Sequence, residues 1–193
     1  MKGCMFSAHC LELKCDKSCP KFAETRYLLD RNNISFDSNV FCADPKQITA
    51  FNKLIEVSQG KLVSIVKKET APAAELLTYL SICQTWHGSR LHCTTYNIKY
   101  FQYLDMLKQS WSLKDGSDFE YVKIWASTAS VLIISGLDYV NFKDFESQTL
   151  LQLIQARQMD RLTTIVVAPP LISLVGSGMF FDKLKTLLRE VQK

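Results

Sequence analysis

The chain has 193 residues, 47% of them apolar and 22% charged, with a net charge of +4. That length supports one domain with a real core and a small appendage, and the composition is that of a soluble globular protein. No apolar run reaches the ~20 residues of a membrane span, and Met1 to Ala8 lacks the charged start and apolar core of a signal peptide. A cytoplasmic protein without membrane contact is therefore expected. The mild positive charge permits nucleic-acid contact without arguing for it.

In chain order, the first 20 residues are rich in cysteine and lysine. "FAETRYLLDRNNI" (22–34) reads as a helix, with Phe22, Tyr27, Leu28 and Leu29 on one side and Asn32-Asn33 as its stop. Residues 35–47 read as irregular. A second helix is expected over 45–60, with Asp44 as N-cap, Pro45 at the first helical position and Gly60 at the end. The pattern then alternates. Strands are expected at 61–67, 90–96, 130–137 and 162–169. Helices are expected at 71–88, 98–111, 119–127, 144–160 and 180–193, with a polar break at 112–118. The strands "SVLIISGL" and "LTTIVVAP" are almost continuously apolar. Strands buried on both faces read this way, because helices cover each side of a parallel sheet. The expected fold is a three-layer α/β domain with a parallel sheet over about 61–193. Two helices in a 21–60 linker region lead into it, and a cysteine-rich tip at 1–20 precedes them.

The tip, "CMFSAHCLELKCDKSC", places Cys4, Cys10, Cys15 and Cys19 within sixteen residues, with five, four and three residues between them. Disulfides are not expected in a cytosolic chain. Four soft ligands fit closed, tetrahedral, structural zinc, with His9 as the substitute ligand. Reduced thiols on a frayed terminus are the alternative, and exposed thiols oxidise easily. A catalytic zinc would want an open position and a nearby general base, which the sequence does not offer. Cys42, Cys83 and Cys93 are scattered and read as small core hydrophobes.

"LVSIVKKETAPAAELLTYL" (62–80) raises the functional question. A strand, a polar turn and a helix stand where many nucleotide-binding proteins carry G-x-x-x-x-G-K-[ST]. There, glycines let backbone amides wrap the phosphates, lysine reaches the outer phosphates and the hydroxyl holds magnesium. Here the turn reads "KKETAPAA": it has no glycine, Pro72 has no amide to donate, and Lys67 and Lys68 come early. A later strand should end in acids that hold magnesium and activate water. "VLIISGLDYV" ends instead in Ser135-Gly136, with Asp138 late. Asp138 reads as a cap rather than a catalytic acid. Among smaller signals, Tyr96, Tyr100, Phe101 and Tyr103 read as helical packing rather than base stacking. Trp86 reads as packing, His87 as a solvated imidazole and His92 as structural. "GSGMFF" (176–181) could receive an anion at a helix start.

Three segments carry a resemblance: "SCPKFAETRYLLDRNNI", "LVSIVKKETAPAAELL" and "LLQLIQARQMDRLTTIVV". With the cysteine cluster ahead of them, they resemble the DnaC/DnaI-type helicase loaders of the AAA+ superfamily, especially the short forms of phages and mobile elements. The resemblance spans nearly the whole chain and implies an AAA+, P-loop-like core. On a gap-free reading, Ala73 stands where that family has its phosphate-loop lysine and Ala74 where it has its magnesium-binding hydroxyl. Ser135 and Gly136 stand at its paired Walker B acids, and Ala168 and Pro169 in the region of its sensor asparagine. The resemblance with these departures implies a pseudo-ATPase that binds no nucleotide. Its expected role is as an adaptor in DNA replication, partnered by a replicative helicase or an ATPase-competent loader subunit, with single-stranded DNA as a further partner. The alternative is a zinc-stabilised DNA-binding protein of a phage or mobile element. A third reading, an enzyme with an unconventional nucleotide site, would rest on Asp138.

Overall fold

Four parallel strands form the centre. They are β1 (Leu62–Val66), β2 (Thr95–Lys99), β3 (Val131–Ser135) and, later in the chain, β5 (Thr163–Ala168), in the order β1-β5-β3-β2. The computed structural model describes residues 27, 28, 30–32, 50, 53, 54, 56–87, 94–112 and 117–192. Inner strands β3 and β5 are buried at every residue, as their unbroken apolar character requires between two helical layers. The register pairs Ile133 with Ile165, Val63 with Ile165, and Ile98 with Ile134.

Side chains alternate across the sheet. Val131, Ile133, Ile165 and Val167 face a helix α1 (Thr70–His87) and pack with its Ala74. Leu132, Ile134, Val166 and Ala168 face the other way, into the larger core. That core is closed by α2 (Tyr100–Ser112), α3 (Ser117–Thr128), α4 (Asp144–Met159) and α5 (Met179–Glu190). α5 is an amphipathic helix that buries Phe181, Leu184 and Leu188 at helical spacing. The three-layer parallel α/β expectation therefore holds. Among the described residues, no helix is long and apolar enough to cross a membrane.

Three features differ from the sequence expectation. The second strand runs over Thr95–Lys99 rather than 90–96, so "NIK" belongs to the strand and α2 begins at Tyr100. Its extent is set by pairing with β3, which begins at Thr95 opposite Val131. The strand expected over 130–137 ends at Ser135, because Gly136 turns left-handed (φ 73°) into a 3-10 turn, Leu137–Tyr139. A two-residue parallel ribbon also forms between β4 (Asn141–Phe142) and β6 (Val175–Gly176). Residues 35–47, expected to be irregular, lie outside the described residues.

Open sheet edges expose unpaired backbone groups, and groups on both edges find partners here. On β2, the Asn97 N–H donates to Asn32 Oδ1 at 2.8 Å, and Asn32 Nδ2 donates to the Leu28 carbonyl at 2.7 Å. Asn32, expected as a helix stop, thus also docks the leading helix onto the sheet. Arg31 beside it lies over the Trp125 ring, 3.4 Å from the centroid. On β1, the Ser64 N–H donates to the Val191 carbonyl at 3.0 Å, and Ser64 forms a parallel bridge with Gln192.

Candidate functional site

In open α/β sheets, ligands gather beyond the carboxyl ends of the strands. Here that edge is made by Lys67 after β1, Ala168-Pro169 at the end of β5, and Ser135-Gly136 at the end of β3. β1 is tied to β5 by the Lys67 N–H, which donates to the Ala168 carbonyl at 2.9 Å.

The β1–α1 connection is three residues, Lys67, Lys68 and Glu69, all exposed. α1 begins at Thr70, so Pro72, Ala73 and Ala74 lie within its first turns. Ala74 is fully buried and belongs to the packing between α1 and the sheet. The hydroxyl at the head of this helix is therefore that of Thr70. It is 3% exposed and donates to Asp138 Oδ1 at 3.1 Å.

Ser135 is 1% exposed, and its Oγ has no hydrogen-bond partner among the described residues. By strand alternation it lies on the α1 side of β3, one pleat beyond Ile133. Gly136 is required by its turn and by its surroundings. A Cβ there would lie 2.9 Å from Phe101 Cδ1, and its φ of 73° disfavours any L side chain. Leu137, fully buried, anchors the 3-10 turn and leaves Asp138 exposed beside Thr70. The sequence placed Ser135, Gly136 and Asp138 at this edge. It missed Thr70, whose signal was a hydroxyl three residues after a lysine at a helix start.

Chemically, the described residues of this edge offer the hydroxyls of Thr70 and Ser135, the Asp138 carboxylate bonded to the first of them, the exposed Glu69 carboxylate, and the two exposed ammonium groups of Lys67 and Lys68. Ala168 and Pro169 are buried and bring only apolar side chains. The other anion site suggested by the sequence, at the start of α5, is already supplied with an internal carboxylate. Asp144 Oδ1 accepts the Phe180 N–H at 3.4 Å, and it packs so closely on Gly178 (φ 101°) that a Cβ there would clash with it.

Among the described residues, no three His, Cys, Asp or Glu side chains form a group that could hold a metal ion. Cys4, Cys10, Cys15, Cys19 and His9, the zinc set expected from the sequence, lie outside the described residues, as do Cys42, His92 and Cys93.

No protein-family model matches the sequence, and no curated protein matches it. A crystal structure of the DnaC helicase loader does match in three dimensions. The TM-score is 0.53 at 11% identity, over 87% of this chain and 97% of that one. At that identity the likeness is one of fold. The chain thus has a DnaC-like core, a parallel four-stranded sheet between helices in a P-loop-like α/β arrangement.

Proposed function

We propose that this chain is a non-catalytic adaptor of DNA replication. It has the shape of a helicase loader and binds a replicative helicase or an ATPase-competent loader subunit instead of hydrolysing ATP. The DnaC-like fold supports the loader-like role. The observation that carries the non-catalytic part is the β1–α1 connection. A phosphate loop holds its anion with several successive backbone N–H groups, which requires a long glycine-bearing turn before the helix. Three residues without glycine separate the strand from the helix here, and Pro72 removes a further donor from the first turn. Buried Ser135 at the end of β3 supplies no charge to hold magnesium.

In this reading Cys4, Cys10, Cys15 and Cys19 hold a closed structural zinc, and the tip they form makes the partner contact. The test is to purify the tagged full chain from its source cell, with and without a chelator, beside a chain lacking residues 1–20. Mass spectrometry identifies what accompanies each. The expected result is a replicative helicase or loader subunit with the full chain, lost on chelation and on deletion. Recovery of nucleic acid alone, or of nothing, would overturn the adaptor reading in favour of a zinc-stabilised DNA-binding protein.

A further inference from the structure

We infer that Asp138 is a built-in substitute for the anion that a phosphate-binding helix start would otherwise receive. Its carboxylate closes the head of α1 and ties the loop after β3 to the loop after β1, so this edge of the sheet is locked without a ligand. The inference rests on the reading that the site binds no nucleotide.

The first observation is the helix itself. α1 has 18 residues, and the first turn of such a helix presents unmet N–H groups and the positive end of its dipole. Negative charge is favoured there. The second observation is Ser135. A buried hydroxyl without a partner is uncommon in a native fold. Ile133 and Ala74 pack together between β3 and α1. One pleat onward along β3 lies Ser135, and one turn toward the helix start lies Thr70. By alternation Ser135 therefore lies on the α1 side of β3, toward the first turn of that helix.

The third observation is the origin of the carboxylate. Asp138 lies 68 residues from Thr70 in the chain, so their bond joins two loops that only the tertiary fold brings together. The left-handed Gly136 and the buried Leu137 position the turn that carries Asp138. Asp144 makes a parallel arrangement at the start of α5, accepting from Phe180. At both helix starts a carboxylate comes from another part of the chain, met by the Thr70 hydroxyl at α1 and by the Phe180 backbone N–H at α5.

The test is thermal unfolding of the full chain in sodium phosphate, sodium pyrophosphate and sodium chloride at matched ionic strength. Wild type should melt at the same temperature in all three. Asp138→Ala should melt roughly 3–6 °C lower in chloride and recover most of that loss, saturably, in phosphate or pyrophosphate. Asp138→Asn covers the case in which the alanine variant does not fold. It retains an acceptor for Thr70 and removes the charge. It should melt roughly 1–3 °C below wild type at low ionic strength, with the deficit shrinking as salt screens the interaction. An unchanged melting temperature in either variant, or an alanine variant that phosphate does not rescue, would overturn the inference. Those outcomes leave the adaptor reading standing provided wild type shows no response to phosphate or nucleotide. Saturable stabilisation of wild type by pyrophosphate would remove both.

Discussion

Replacing Arg157 by alanine is expected to destabilise the fold by about 3–5 kcal/mol. Arg157 lies in the last turn of α4 and is 0% exposed. Its Nε donates to Thr164 Oγ1 at 2.9 Å. One terminal nitrogen donates to the carbonyls of Ala126 and Ser127, at 2.9 and 3.3 Å. The other donates to those of Ala129 and Thr163, at 2.8 and 2.6 Å. Three of these carbonyls belong to the end of α3 and the residue after it, where a helix leaves its last acceptors unmet. One guanidinium thus joins α3, α4 and the start of β5. Alanine would leave a cavity and several buried acceptors without a partner.

Methionine would fill much of the volume and leave the carbonyls unmet, so Arg157→Met should recover only part of the loss. Lysine keeps the charge but lacks the planar fork, and should also fall short. Urea unfolding checks this: the midpoint should drop with little change in slope. Burial pushes the guanidinium down to about 10, against a smaller opposing pull from Asp160. Arg157 therefore stays charged at neutral pH in both folded and unfolded chains. Its shift adds no pH dependence there. From about 10 up to the ordinary arginine range, the unfolded chain holds the proton more tightly, so this shift adds stability as pH rises through that window.

Tyr100→Ala is expected to cost about 3–5 kcal/mol, while Tyr100→Phe should cost about 1–2 kcal/mol. The ring is fully buried directly after β2. It stacks near Phe142 at 6.0 Å and near Tyr103 at 6.2 Å, and Phe142 stacks in turn near Phe181 at 5.8 Å. Its hydroxyl donates to the Glu146 carbonyl at 2.5 Å. Burial is the main reason the phenol is held far above its ordinary value, with Tyr103 and Glu146 adding to the shift. The alanine variant removes packing for β4 and the first turn of α4, just after the turn that carries Asp138. The phenylalanine variant leaves the stack and removes one hydrogen bond. Hydrogen exchange of 137–147 should quicken much more in the alanine variant. Equal effects would assign the cost to the hydroxyl rather than to the ring.

β3 and β5 were legible because their buried runs have no polar face, and the helices around them carried enough apolar residues to place each element within a few positions. The start of β2 was not legible. "RLHCTTYNIK" has β-forming residues throughout, and only its pairing with β3 selects Thr95–Lys99. The β4–β6 ribbon is too short to show a period of two. Arg157 carried no signal of burial, since arginine on a helix is ordinarily exposed; five acceptors from separate segments make its interior position possible. At the candidate site, the sequence placed Ser135, Gly136 and Asp138 at the end of β3. It did not show that α1 begins at Thr70, nor that Asp138 folds back to meet it, because that contact depends on the left-handed turn at Gly136.

In the proposed function this DnaC-like core does not use nucleotide. Isothermal titration of the full chain with magnesium-ATP and then magnesium-ADP tests this, with a hydrolysis assay on the same sample. The proposal predicts no saturable heat with either nucleotide and no phosphate release above buffer. Saturable binding that is lost in Thr70→Val, or hydrolysis that is lost in Asp138→Asn, would contradict it and make this edge of the sheet a working nucleotide site.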